Sequence, residues 1–304
     1  MIHYIEHKNI DKQKWDTCIT ASDNVNPFVY SWYLDVVCEN WSALILNDYE
    51  AIFPLAVKSK YGLKYLYQPF FTRYFGLFSK AKMSTKQLNE FLEGISNDYK
   101  FAEFCLHESH KTIGTTFQLK EKKYQLLDLS IEYSFLHKDF STNAIRNVKK
   151  GEKANYIITN KISAKEIVDL FKKTKGGELA VFKPKDYEAL IQLMEQCLAL
   201  KKGITYAVQD ASKNLIAAAF FIKTNNRFTF LKSGVTDSGK ENGAMHFLFN
   251  TFIKEHANTN YILDFGGSSV DSVARFYKNF GAKDCVYLQL KQNKLPKLLK
   301  LIKK

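Results

Sequence analysis

The strongest constraint on the fold of this chain is an order of apolar patterns that it runs through twice. Asn155–Thr159 reads as a strand, and Ser163–Thr174 as a helix opened by a capping box of Ser163 and Glu166. Pro184–Leu200 reads as a second helix with proline in its first turn. Three strand-like runs follow at 204–209, 215–223 and 227–233, divided by polar turns at 210–213 and 224–226. A turn rich in Gly, Asp and Ser over 234–243 leads into an apolar-periodic helix, 244–257. A strand at 261–265, a helix at 269–280 ended by Gly281, and a strand at 285–290 close the series. Residues 2–129 repeat the order more loosely: a strand at 2–6, helices near 11–21 and 31–39, and strands near 43–47, 51–58 and 63–67. A helix near 85–97 and strands near 101–106 and 124–129 complete this half. The candidate boundary lies at Ser130–Asp139, which gives two tandem domains, 1–130 and 131–304.

Composition excludes several classes. With 46% hydrophobic residues and 14 Gly plus 5 Pro in 304, the chain is neither disordered nor collagen-like. The longest apolar run, Leu215–Ile222, is far short of the roughly 20 residues of a spanning helix. The first residues show no export signal, and the five cysteines (18, 38, 105, 197 and 285) are scattered without a C-x-x-C pair. A cytoplasmic protein with reduced thiols is expected. Cys105, His107 and His110 fall close together, but no second cluster completes a zinc set, so no metal is expected. No hydrolase elbow, Walker loop or dinucleotide fingerprint occurs.

The net charge of +13 fits an anionic partner. Six lysines lie in 291–304, where Leu295, Leu298, Leu299 and Ile302 have helical spacing. This basic C-terminal helix either contacts an anionic membrane peripherally or docks its leucines on the core. No nucleic-acid-binding motif supports DNA as a partner.

Specific residues narrow the reading. Lys240-Glu-Asn-Gly243-Ala244-Met245 stands between a strand and a helix, where free N–H groups and the positive helix end can cradle a pyrophosphate. Ala274-Arg-Phe-Tyr277-Lys-Asn-Phe280-Gly281 follows on the next helix. Together with the order of elements, these stretches resemble the GNAT N-acyltransferase superfamily, with Met245 where its loop has Gly or Ala. The resemblance implies an α/β (α+β) fold of two tandem GNAT-like domains, each a mixed, mostly antiparallel sheet flanked by helices. It further implies an acyl-CoA co-substrate, acetyl-CoA first, held by Ser233, Gly234, Val235, Gly239, Lys240, Gly243 and Ala244. Tyr277 would protonate the leaving thiolate; the alternative is a core tyrosine. Asp264, alone in an apolar strand before Gly-Gly-Ser-Ser, is either a general base or a carboxylate held by the N–H groups of that turn.

Two halves with one such loop are similar to the FemAB-like group, which includes transferases that add amino acids from aminoacyl-tRNA to cell-wall precursors. Asp264–Gly281 resembles that group's late motif, and Ser141–Lys153 its short basic helix, although the long helical arm of the tRNA-dependent members is missing. Arg146, Lys149, Lys150 and Lys153 form either a solvated face or a route for phosphate-bearing ligands. The first half has no equivalent loop: Phe78–Lys86 contains no glycine. It is read as a degenerate copy shaping the acceptor side, with Gln68, Arg73 and Tyr74 in an aromatic run that suits a ligand with apolar and anionic parts, or simply packs. The expected function is transfer of an acyl group from acyl-CoA to an amine, on a small molecule or a cell-wall or lipid precursor. The rivals are aminoacyl transfer, with tRNA as partner, and a binding module without catalysis, for which Met245 speaks.

Overall fold

The computed structural model describes residues 1–60, 62–111, 115–177, 181–267 and 270–296. The chain forms two compact units, Met1–Lys122 with Val286–Lys304, and Lys123–Cys285. The crossing at 122/123 precedes the boundary expected after residue 130, and the end of the chain belongs to the first unit.

The first unit opens with β1 (Ile2–Glu6), α1 (Lys12–Thr20), α2 (Ser31–Val37), β2 (Trp41–Leu46), β3 (Ala51–Lys60) and β4 (Leu63–Leu66). It continues with β5 (Phe78–Ser79), α3 (Thr85–Asp98) and β6 (Phe101–Leu106). Asp11 caps α1 by accepting from the N–H groups of Gln13 and Lys14, and Ser84 with Gln87 forms a capping box on α3. Then come β7 (Gln118–Asp128), α4 (Tyr133–Lys138), α5 (Thr142–Lys153), β8 (Ile157–Thr159), α6 (Ala164–Phe171) and α7 (Pro184–Ala199). The hairpin strands β9 (Gly203–Gln209), β10 (Leu215–Lys223) and β11 (Arg227–Val235) follow. Last are α8 (Asp237–Glu241), α9 (Ala244–His256), β12 (Ile262–Gly267), α10 (Asp271–Lys278) and β13 (Lys283–Asn293).

The sheet of the first unit has the order β1-β2-β3-β4-β6-β13, antiparallel except for β4 with β6, and β5 adds to β3. The sheet of the second has the order β8-β9-β10-β11-β12-β7, antiparallel except for β11 with β12. The two orders correspond strand for strand, so the repeat seen in the sequence is real at the level of topology. The sixth strand is exchanged, however. β7, expected to end the first half, pairs with β12, and β13, expected to end the second, pairs with β6. An alternating pattern marks a strand but does not say which sheet edge it joins.

In the second unit α9 buries Leu248, Phe249, Phe252 and Ile253 against the sheet, among Phe221, Phe228, Phe265 and Phe280. α5 lies close on α9 at two glycines: a β-carbon on Gly151 would come within 2.6 Å of Phe247. β13 ends at Asn293, and the expected C-terminal helix falls largely in 297–304, outside the described residues. Among the described residues no helix is long and apolar enough to cross a membrane.

Candidate active site

β11 and β12 are paired at Arg227 with Ile262, Phe228 with Leu263 and Thr229 with Asp264, and no further pair forms among the described residues. Past Thr229 the parallel strands part. On its other side β11 carries one extra residue: Phe230 faces Phe221 and Lys232 faces Phe220, leaving Leu231 without a partner in β10. Side chains alternate along a strand, and a bulge of one residue reverses the alternation. Ser233 and Val235 therefore share a face with Phe230, while Lys232 and Gly234 turn to the opposite face. There the Lys232 ammonium lies 4.6 Å from the Phe171 ring, and a β-carbon on Gly234 would meet the Phe171 backbone at 2.6 Å. Burial lowers the Lys232 pKa to about 8.

Beside β11, past Thr229, lies a cavity of about 330 Å³. Phe230, Ser233 and Val235 of β11 form one wall, and Ser272, Val273, Phe276 and Tyr277 of α10 another. Met245, His246 and Phe249 of α9 line it as well, with Gly239, Lys240 and Gly243 at the start of that helix. Tyr277 is buried, its ring stacked on Phe265 at 5.0 Å and 30°. It is at once a core tyrosine and a cleft residue. The site's sequence signal had passed over His246, whose ring meets the Phe276 ring edge-on at 4.7 Å. Burial pushes its pKa down to about 4, so the imidazole is neutral near pH 7. A histidine on an apolar helix face carries no spacing signal, which is why sequence reasoning missed it.

The loop before α9 is more ordered than the turn expected over 234–243. Residues 237–241 form the helical turn α8, capped by Thr236, whose hydroxyl oxygen accepts from the Gly239 N–H at 3.1 Å. Lys240 pairs with Asp237 at 2.7 Å. Gly243 has φ +71°, and a β-carbon there would lie 2.2 Å from the Asn147 carbonyl oxygen. Glycine is thus needed for the approach of α5, and that face of the loop is filled by protein. Ala244 is fully buried in the core and, like Gly234, lies outside the cleft lining.

Asp264 also lies off the cleft. It is fully buried; Oδ2 accepts from Arg227 Nη1 at 3.1 Å, and Oδ1 accepts from the Gly266 N–H at 2.9 Å. One N–H of the turn, that of Gly266, and the Arg227 guanidinium thus hold the carboxylate; Ser268 and Ser269 of that turn lie outside the described residues. In the first unit Gln68 bridges backbone groups, accepting from the Cys105 N–H at 2.9 Å and donating to the Thr72 carbonyl at 3.2 Å. Tyr74 is buried against His107 and Tyr287, and Arg73 lies over the Phe28 and Tyr74 rings at 5.7 and 5.5 Å. None of the three lines a cavity of about 520 Å³ in this unit, to which Tyr4, His7, Lys58 and Tyr67 contribute, or a second of about 500 Å³ beside α1. Arg146 is exposed on α5 and donates to Asn143 at 3.0 Å. His110 Nε2 accepts from the Leu77 N–H at 3.0 Å, a structural bond.

No family model and no curated protein matches the chain. Among solved structures it superposes on FemX with a TM-score of 0.67 at 12% identity, over 99% of this chain and 100% of that one. The chain has the fold of FemX. A conserved protein of unknown function from Bacteroides thetaiotaomicron gives 0.64 at 12%, over 96% and 99% of the two chains. A C-terminal domain assigned to a lysylphosphatidylglycerol synthetase of Agrobacterium fabrum gives 0.55 at 13%, over 96% and 94%. The mixed, mostly antiparallel α/β fold expected from the order of elements is the one found. At these identities the likeness is one of fold.

Proposed function

We propose that this chain is a transferase that moves an activated acyl group onto an amine, with the acyl group seated where β11 and β12 part. The observation that carries the reading is that parting, because it leaves an edge of β11 unpaired beside a cavity walled by Tyr277. N–H groups on such an edge can polarise a carbonyl as charge develops on its oxygen. The amine nitrogen attacks the carbonyl carbon, the carbon–oxygen or carbon–sulfur bond breaks, and the Tyr277 phenol gives its proton to the leaving atom. The nitrogen, cationic once bonded to the carbonyl carbon, then returns a proton to the phenolate.

The donor favoured is an aminoacyl ester, and the acceptor the amine of a cell-wall or lipid precursor. The support is the fold, which is shared with FemX and with a domain named for making lysylphosphatidylglycerol. An acyl-CoA donor is the second reading, favoured by Lys240 and the start of α9 opening on the cleft. Incubation with a panel of amines and either charged tRNA or acetyl-CoA tests both; amide product from neither donor would refute the transferase reading.

A further inference from the structure

We infer that the outer face of α4 and α5 is a docking surface for a bilayer of anionic lipid. The inference rests on surface chemistry of the second unit and stands apart from the reading of the cleft. α5 buries Ala144, Val148 and Gly151 and exposes Arg146, Lys149, Lys150 and Lys153. At about 100° per residue these four cations fall on one stripe, opposite the buried one. Within it, 146 with 149, 146 with 150, 149 with 153 and 150 with 153 are neighbours of like charge at i, i+3 or i, i+4. Such pairs weaken a helix unless a counter-charge covers them. The protein supplies none. Arg146 donates to the Asn143 side chain at 3.0 Å and Lys150 to the Glu241 carbonyl at 3.2 Å, and among the described residues none of the four meets a carboxylate. Glu152, the single acid of α5, stands off the stripe.

Unneutralised cations in a row fit an anionic partner, and their neighbours say which kind. Phe135 of α4 is 57% exposed, and Ile131, just before that helix, is 42% exposed. α4 lies on α9, as α5 does: the Tyr133 hydroxyl donates to Asn250 at 2.7 Å, and the Ile131 carbonyl accepts from the Asn258 N–H. Two more cations stand on this layer, Lys138 at 4.8 Å from the Phe135 ring and Lys254 at 5.8 Å from the Tyr133 ring. Apolar side chains among cations are what a protein presents to a bilayer surface. Rings and aliphatic chains enter the acyl boundary, while ammonium groups stay among the headgroups. An aliphatic Ile131 adds nothing to a contact with a phosphodiester backbone, so the pair of apolar residues favours lipid over nucleic acid. Each cation near an anionic leaflet strengthens binding by roughly fivefold.

The test is co-sedimentation of the full chain with vesicles of phosphatidylcholine alone or of equal parts phosphatidylcholine and phosphatidylglycerol. The expected result is binding to the mixed vesicles only, weakening as salt is raised. Arg146→Glu with Lys149→Glu and Lys153→Glu should lower that affinity at least about a hundredfold, with circular dichroism unchanged. The milder Lys149→Gln with Lys153→Gln should lower it about tenfold or more, and so should Ile131→Ser with Phe135→Ser. No binding of wild type to mixed vesicles would overturn the inference, as would wild-type affinity in the folded α5 variants or in the Ile131 and Phe135 variant. Lys297→Glu with Lys300→Glu and Lys304→Glu is the charge-matched control. Loss of binding there, with the α5 variants unaffected, would overturn it in favour of the C-terminal lysines. Retention of unfractionated tRNA that the α5 changes abolish, without vesicle binding, would overturn it in favour of nucleic acid.

Discussion

The α-carbon of Gly243 stands so close to Asn147 that a β-carbon there would lie 2.2 Å from its carbonyl oxygen. The glycine that most suggested a cofactor loop is therefore also what lets α5 pack against α9. Its left-handed φ of +71° adds a backbone penalty for any other residue. Gly243→Ala should lower stability by more than the roughly 1–2 kcal/mol of the backbone strain alone. Urea unfolding measures this, and an unchanged midpoint would contradict the packing. Loss of ligand binding in a Gly243 variant consequently reports on folding before it reports on the donor.

Tyr277→Phe keeps the stack on Phe265 and removes only the phenol. Stability should change little. Turnover should fall about 10²–10⁴-fold if the phenol is the general acid. Turnover within threefold of wild type would leave Tyr277 as a packing residue.

Asp264 and Arg227 form an ion pair with the carboxylate fully buried and the guanidinium side chain 18% exposed. Removing one partner of such a pair strands the other charge. Asp264→Ala is expected to cost about 3–5 kcal/mol. Denaturant titration checks this; a variant as stable as wild type but inactive would return Asp264 to a chemical role.

Lys232 has a folded pKa of about 8, below the ordinary 10.5, because burial disfavours its charge. Between those values the unfolded chain holds more protons than the folded one. This group therefore makes stability rise with pH across that window, by at most about 1.4 kcal/mol per pH unit. The stability difference between wild type and Lys232→Met should grow in favour of wild type from pH 8 to pH 10. A pH-independent difference would contradict it.

Much of the second unit was readable because its signals are local. The Ser163–Glu166 capping box and Pro184 mark the starts of α6 and α7 where the structure has them. Tyr277, Ser233, Val235, Gly239, Lys240 and Gly243, singled out by the resemblance, line one cavity. What was not readable depends on contacts distant in sequence. The extra residue at Leu231 decides which β11 side chains face the cleft, yet it exists only as a register shift against β10. Thr236 turns a polar loop into α8 by accepting from the Gly239 N–H, a helix too short for a periodic pattern. The exchange of β7 and β13 and the pairing of Asp264 with Arg227 are likewise invisible to periodicity. His246 lay hidden because a single polar residue on an apolar helix looks the same whether it is packed or poised for a ligand.

The most direct test of the acyl site is calorimetric titration of the adenosine 3′-amide of alanine, a stable donor mimic, into the wild-type chain and into Val235→Trp, which fills the cleft from the β11 wall. Saturable binding to wild type, abolished in a Val235→Trp protein of unchanged circular dichroism, is the expected result. Equal binding to both proteins would contradict the placement of the acyl group beside the parted strands β11 and β12, and no binding to wild type at millimolar ligand would contradict the aminoacyl donor.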